Sequence, residues 1–190
     1  MTKQDMGSWS AVISGYAHNN CGEKALSHFC EMQRAGITAN QSIIVTVFKA
    51  CCDLVDVKLG MQLHTHIIKF IIELDICLAS ALVTMYAQCG MIEDAFQVFH
   101  NILEKDVVLW TTMIARYAKN EHYDEALELF CKMKGARIKP EQFMFASVLS
   151  SCASLGALEH GKGIHSCILK RKFESDLSIG NTLVTLYAKC

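Results

Sequence analysis

Apolar residues recur along this chain with the spacing of an α-helix, and nowhere with the alternation of a half-buried strand. In residues 6–40, Trp9, Val12, Ile13 and Tyr16 share one face of a first predicted helix, and Ala25, Leu26, Phe29 and Met32 share one face of a second. Asn19-Asn20-Cys21-Gly22 supplies the turn between them, and Gly36 follows as a C-terminal cap. Residues 41–75 repeat the plan, with Val47, Phe48 and Cys51 in one helix and Leu59, Leu63, Ile67 and Ile68 in the next. A shorter stretch, 76–106, carries Leu82, Val83 and Tyr86, then Ala95, Phe96 and Phe99, either side of Cys89-Gly90.

The pattern then restarts. Trp9 returns as Trp110, Tyr16 as Tyr117, Phe29 as Phe130 and Met32 as Met133, all at one offset of about 101 residues. Cys51/Cys152, Gly60/Gly161, His64/His165, Asp75/Asp176 and Tyr86/Tyr187 keep the same offset, and about a third of all pairs so aligned are identical. Each cycle divides into units of about 35, 35 and 31 residues. The expected division is 1–5, the tail of a preceding repeat; then 6–40, 41–75, 76–106, 107–141 and 142–176; then an incomplete 177–190. Helical hairpins of this length cannot bury their apolar faces alone, so they stack on their neighbours. The expected fold is all-α, a right-handed α-solenoid of stacked helix-turn-helix repeats.

Composition agrees with that reading. Hydrophobic residues make up 52% of the chain, and a single proline, Pro140, leaves long helices uninterrupted. The formal net charge of −1 announces no global cationic field, although a locally lined groove needs none. None of the ten cysteines lies in a C-x-x-C or paired Cys/His ligand spacing, so no metal is expected. Cys30/Cys131, Cys51/Cys152 and Cys89/Cys190 recur at the repeat offset and read as small core positions in a reducing compartment. The most apolar stretch, Ile67 to Val83, is interrupted by Lys69, Glu73 and Asp75 and is not expected to span a membrane. No signal or transit peptide is visible.

No nucleophile elbow, phosphate loop or dinucleotide turn occurs, so no enzyme, cofactor or small-molecule substrate is expected. His64 and His165 are one structural position seen twice, a packed or hydrogen-bonded histidine between helices. Trp9 and Trp110 share their faces with apolar neighbours and read as core anchors, with base stacking as the alternative. Lys69 and Lys170 end second helices, where a cation complements the helix dipole; contact with a phosphate is the alternative.

The order W-[ST]-x-[VM]-I-x-x-Y-A-x-N, then A-L-x-x-F-x-x-M, seen at residues 9–32 and 110–133, resembles the pentatricopeptide repeat. Two units of about 35 residues followed by one of 31 resemble its plant subclass with P-, L- and S-type motifs. Residues 6–40 and 107–141 are P-like, 41–75 and 142–176 L-like, and 76–106 and 177–190 S-like. The resemblance implies single-stranded RNA binding, about one base per repeat. In that family the fifth and last residues of a repeat contact the Watson–Crick edge, and the second packs against base faces.

Carried onto this chain, the resemblance makes Ser10 with Asn40 a reader of adenine and Ser80 with Asp106 a reader of guanine. Thr111 with Glu141 implies a weaker guanine preference, and Asn181 a pyrimidine. Val45 with Asp75 and Ala146 with Asp176 are weaker positions, because Val and Ala cannot hydrogen-bond; they are expected to space the array. Val108 and Cys77 hold the base-packing second position, as does Gly7. The implied target, 5′ to 3′, is A-n-G-(G)-n-Y. Ala39 for the usual Pro and Arg137 for the usual Gly are expected to loosen two inter-repeat turns.

The resemblance further implies an organellar RNA processing or C-to-U editing factor of mitochondrion or chloroplast, working with editing or processing cofactors. The deaminase signature H-x-E with P-C-x-x-C is absent from these residues, so editing chemistry would belong elsewhere. The alternative function is a helical-repeat scaffold that binds protein.

Overall fold

The computed structural model describes residues 5–69, 75–173 and 175–190, with side chains 66–69 outside the description. Eleven α-helices, and no strand, occur among the described residues. They fall into two compact bodies, Met1–Ile102 and Leu103–Cys190.

The first body holds α1 (Met6–His18), α2 (Gly22–Arg34), α3 (Gln41–Leu54), α4 (Val57–Lys69), α5 (Ile76–Gln88) and α6 (Ile92–Asn101). Helix α3 packs on α1, α2, α4 and α5, so the hairpins stack through the first helix of each. The second body holds α7 (Val107–Lys119), α8 (Tyr123–Gly135), α9 (Gln142–Leu155), α10 (Leu158–Arg171) and α11 (Leu177–Lys189). There α9 has the same central place, packed on α7, α8, α10 and α11.

Phe29, Met32, Val47, Phe48, Leu78, Leu82 and Met85 fill the first core; Leu109, Met113, Phe145, Val148 and Leu149 fill the second. Each large side chain so buried stabilises its body by about 1.5–3 kcal/mol. The recurring cysteines behave less uniformly than expected. Cys51 and Cys152 are buried and Cys30 and Cys89 half-buried, but Cys131 and Cys190 are exposed, so only the middle pair fills core. Trp9 is buried as expected, whereas Trp110 is half-buried. Ile67, Ile68 and Lys69 fall outside the described side chains.

The helix ends are built from short polar residues. Asp5, Asn40, Asp75, Asp106 and Asp176 precede α1, α3, α5, α7 and α11, and each side chain accepts the backbone N–H three residues on at 2.8–2.9 Å. Such a cap satisfies an otherwise orphan donor and contributes about 0.5–2 kcal/mol. Glu141, before α9, makes no side-chain cap. At the other end, Ile37 N–H reaches back to the Met32 carbonyl at 3.1 Å, and Ile138 N–H to the Met133 carbonyl at 3.2 Å. Both turns therefore close alike, and Arg137 does not loosen its own. It adopts the left-handed conformation at φ +61° that Gly36 takes at +74°, so the substitution stores strain while the turn keeps its shape.

Candidate nucleic-acid interface

The residues expected to touch bases stand on the opening helices, α1, α3, α5, α7, α9 and α11, and at their N-caps. Ser10, Val45, Ser80, Thr111, Ala146 and Asn181 all lie in the second turn, and Ser10, Val45, Ser80, Thr111 and Ala146 are half-buried; Asn181 is exposed. Asn40, Asp75, Asp106, Glu141 and Asp176 are the residues that immediately precede α3, α5, α7, α9 and α11. Sequence reasoning treated these last residues as readers alone. The structure gives four of the five a second task, capping a helix.

That second task decides what each side chain still has to offer. Asn40 Oδ1 accepts the Ile43 N–H at 2.9 Å, which leaves the amide nitrogen, a donor, facing away from the helix. Asp106 Oδ1 accepts the Leu109 N–H at 2.8 Å, which leaves Oδ2, an acceptor. Asp75 and Asp176 differ from Asp106. Their Oδ1 atoms cap Leu78 and Ile179, and their Oδ2 atoms accept hydrogen bonds from the amides of Gln41 and Gln142. Both oxygens are already engaged inside their own stretch of chain. The Asp176 carboxyl is held below the usual aspartate range, chiefly by the Ile179 N–H, with the Gln142 amide acting in the same direction.

The second-turn residues are unequal too. Thr111 Oγ1 donates to the Val107 carbonyl at 2.7 Å, so its hydroxyl is left with lone pairs to accept a further bond. Ser80 Oγ is covered and makes no hydrogen bond to a described residue. It lines a groove of about 370 Å³ between α3 and α5, together with Val45, Lys49, Asp53, Thr84 and Gln88. The structure thus brings Val45 and Ser80 to one groove. At the start of their helices, Gly7, Cys77 and Val108 are all exposed.

Phe143 was missed by sequence reasoning. It is 81% exposed, one residue into α9, on a groove that also holds Arg137 and Lys139. The signal was present: Phe143 is the second residue of 142–176, the position at which Gly7, Cys77 and Val108 were read as base-packing, and it answers to Ser42 one cycle earlier. No group of three His, Cys, Asp or Glu side chains able to hold a metal occurs among the described residues. No described helix is long and apolar enough to cross a membrane.

The PPR repeat matches residues 7–37 and 79–107, and the PPR repeat family matches residues 105–154, together more than half of the chain. The chain belongs to the pentatricopeptide repeat family. Among Arabidopsis thaliana pentatricopeptide repeat-containing proteins, one is 40% identical over 96% of this chain and 25% of its own length. A mitochondrial one is 42% identical over 80% of the chain and 24% of its length, and a chloroplastic one 35% identical over 100% and 31%. This pentatricopeptide repeat chain thus spans less than a third of those curated relatives.

Solved structures agree on the fold. The maize pentatricopeptide repeat protein PPR10 superposes with a TM-score of 0.71 at 17% identity, over 99% of this chain and 28% of that one. PPR10 in complex with an 18-nt psaJ RNA element gives 0.72 at 16% identity, over 95% and 26%. The PPR domain of Arabidopsis thaliana protein-only RNase P 1 in complex with tRNA gives 0.76 at 12% identity, over 93% and 95%. The pentatricopeptide repeat fold is that of helical-repeat solenoids.

Proposed function

We propose that this chain is the base-reading part of a single-stranded RNA-binding protein, contacting about one base per repeat. The observation that carries the reading is the contrast between the caps at Asn40 and Asp106. Capping turns both side chains the same way, yet leaves a donor on one and an acceptor on the other. Adenine presents an acceptor at N1, which the Asn40 amide satisfies. Guanine presents an N1–H donor, which Asp106 Oδ2 satisfies. Ser10 adds a hydroxyl beside Asn40, Ser80 pairs with Asp106 although its Oγ is covered in this structure, and Thr111 with Glu141 forms a second, weaker guanine reader. Asn181 takes a pyrimidine.

The stretches 41–75 and 142–176 act as spacers in this reading. Val45 and Ala146 have no hydrogen-bonding group, and Gln41 and Gln142 already occupy Asp75 and Asp176. The alternation fits the plant subclass of P-, L- and S-type motifs, and the proposed target remains A-n-G-(G)-n-Y. Relatives named mitochondrial and chloroplastic support an organellar site of action for the full-length protein. There it would serve RNA processing or C-to-U editing with its cofactors, the repeats themselves supplying recognition and no reaction.

The test is a titration of the chain against an RNA containing A-n-G-G-n-C, the same RNA with its purines exchanged, and a DNA of the first sequence, at two salt concentrations. Selective binding of the first RNA is expected. Equal, strongly salt-dependent binding of all three would reduce the interaction to backbone attraction. Absence of binding by the folded protein would favour the protein-binding scaffold.

A further inference from the structure

We infer that Lys49, on the spacer stretch 41–75, is a specificity residue for the unit that follows: its ammonium donates to the O6 and N7 acceptors of the guanine read by Ser80 with Asp106. The inference rests on the RNA-binding reading above. Guanine carries two hydrogen-bonding edges, and an acidic reader serves one of them. A carboxylate oxygen meets the N1–H donor, whereas O6 and N7 are acceptors and need a donor. Ser80 does not supply it in this structure, because its Oγ is covered and makes no hydrogen bond to a described residue. The donor therefore has to come from elsewhere in the groove that Ser80 lines.

That groove, of about 370 Å³, lies between α3 and α5 within the first body. Among the described residues lining it, Lys49 carries the only positive charge. Lys49 stands one helical turn beyond Val45, is exposed, and forms no ion pair with a described residue. Its N–H donors are open to a ligand, whereas the Gln88 amide in the same groove already donates to the Cys52 carbonyl at 3.5 Å. Asp53 lines the groove one turn further along α3, so the two charges offset each other. A groove of balanced charge is a poor track for phosphates, which bind where cations are in excess. It suits a base edge, which is dipolar and neutral, and single-stranded RNA exposes that edge.

The fold does not require the lysine. One cycle later Ser150 and Ser154 stand where Lys49 and Asp53 stand, on α9, which has the same central place in its body. The base position that follows changes with them. After Lys49 comes Ser80 with Asp106, a guanine reader; after Ser150 comes Asn181, which takes a pyrimidine. A pyrimidine has no O6 and N7 pair, so the lysine accompanies the base that has these acceptors and is absent where they are missing. The stretch 41–75 thus leaves its own base unread through Val45 and lends a donor to the base of its neighbour.

The test titrates the whole chain, as wild type, Lys49→Met and Lys49→Arg, against the RNA A-n-G-G-n-C and two relatives. One carries adenine at the first G, the other 7-deazaguanine. Methionine keeps an unbranched stem and removes the donors, Lys49 is exposed, and helicity measured on each variant checks folding. Lys49→Met should weaken binding of the first RNA about tenfold and alter binding of the adenine RNA by less than about twofold. Lys49→Arg, which keeps the donors, should stay within about threefold of wild type. The 7-deaza change should cost the wild type about fivefold and Lys49→Met nothing further. A wild type indifferent to 7-deazaguanine would overturn the inference, as would unchanged affinities in Lys49→Met. An equal loss on all three RNAs, with the slope of log affinity against log salt lowered by about 1, would assign Lys49 to a phosphate and overturn it too. In each of these cases selective binding by the wild type leaves the RNA reading standing. A wild-type chain that binds no RNA overturns both.

Discussion

His64 Nδ1 lies 2.8 Å from the Tyr86 hydroxyl, and one cycle later His165 and Tyr187 repeat the contact at 2.9 Å. Each pair bridges the second helix of one hairpin to the first helix of the next, α4 to α5 and α10 to α11. The rings meet edge to face, 5.6 and 5.8 Å between centroids. Four residues before each histidine a glycine lets the helices approach: a Cβ on Gly60 would meet Met85, and one on Gly161 would meet Leu186. Glycine, histidine and tyrosine together form a joint, and the joint is repeated.

The first joint has a pH signature. Burial holds the His64 imidazole below its ordinary 6.5, with Asp94 pulling in the opposite direction. A histidine whose folded pKa is depressed binds fewer protons than in the unfolded chain. Its contribution is therefore fully present above the unfolded value and is lost as pH falls below about 6.5 towards the folded pKa. Thermal unfolding followed from about pH 8 to about pH 5 should show this acid-side loss in the wild type and a shallower one in His64→Gln. Identical slopes in the two proteins would remove His64 from the account.

The glycines of the two joints should respond unequally to alanine. Alanine in a helix gains up to about 1 kcal/mol over glycine, and overpacking costs about 1–3 kcal/mol. At Gly60 the atoms in the way are Met85 Sδ and Cε, 2.5 and 2.7 Å from the new Cβ, the mobile end of a long side chain. At Gly161 they are the branched methyls of Leu186, with Cγ itself at 3.1 Å. Gly60→Ala should come out near neutral, while Gly161→Ala lowers stability by about 1–2 kcal/mol. Calorimetric midpoints for the two variants check the order.

Val55 ends α3 in the left-handed region at φ 55°, where one cycle later Gly156 does the same for α9 at +66°. A β-branched residue is strained there by about 1–2 kcal/mol, and Val55 is 61% exposed, so little packing opposes its removal. Val55→Gly should stabilise the chain by roughly 1 kcal/mol net of the entropy that glycine adds to the unfolded state. Urea unfolding with an unchanged m-value and a raised midpoint is the expected result; a lowered midpoint would show that Val55 packs more than its exposure indicates.

Periodicity made the helices and much of the core legible, because burial of Phe29, Phe48 or Leu82 is a property of one face and a face recurs every 3.6 residues. The offset made His64 and His165 legible as one position. Other features were hidden for physical reasons. Whether Asn40 or Asp106 caps a helix, reads a base or does both depends on which atom the N–H takes, and spacing carries no atom names. The Gln41 to Asp75 and Gln142 to Asp176 bonds join the two ends of one stretch, and only folding brings those ends together. Phe143 escaped because matching one cycle to the next finds what the fold must repeat, whereas it is a departure from the repeat; Arg137 stood out as such a departure, but that its turn would keep its shape did not.

The caps supply the sharpest prediction about recognition. Asn40→Asp keeps an oxygen for the Ile43 N–H and replaces the outward donor by an acceptor, so the fold should hold while the preference at that base turns from adenine towards guanine. Asp106→Asn should do the reverse at its own base, because its cap on Leu109 survives and Oδ2 becomes an amide nitrogen. The same change at Asp75 should alter recognition little, since the exposed Gln41 amide can turn its oxygen to the new amide nitrogen and still hold that side chain. Titrations of the three variants against the four single-base RNAs at each position separate these outcomes. A preference that follows Asn40 and Asp106 but ignores Asp75 matches the hydrogen-bond pattern, and a preference indifferent to all three would assign these side chains to capping alone.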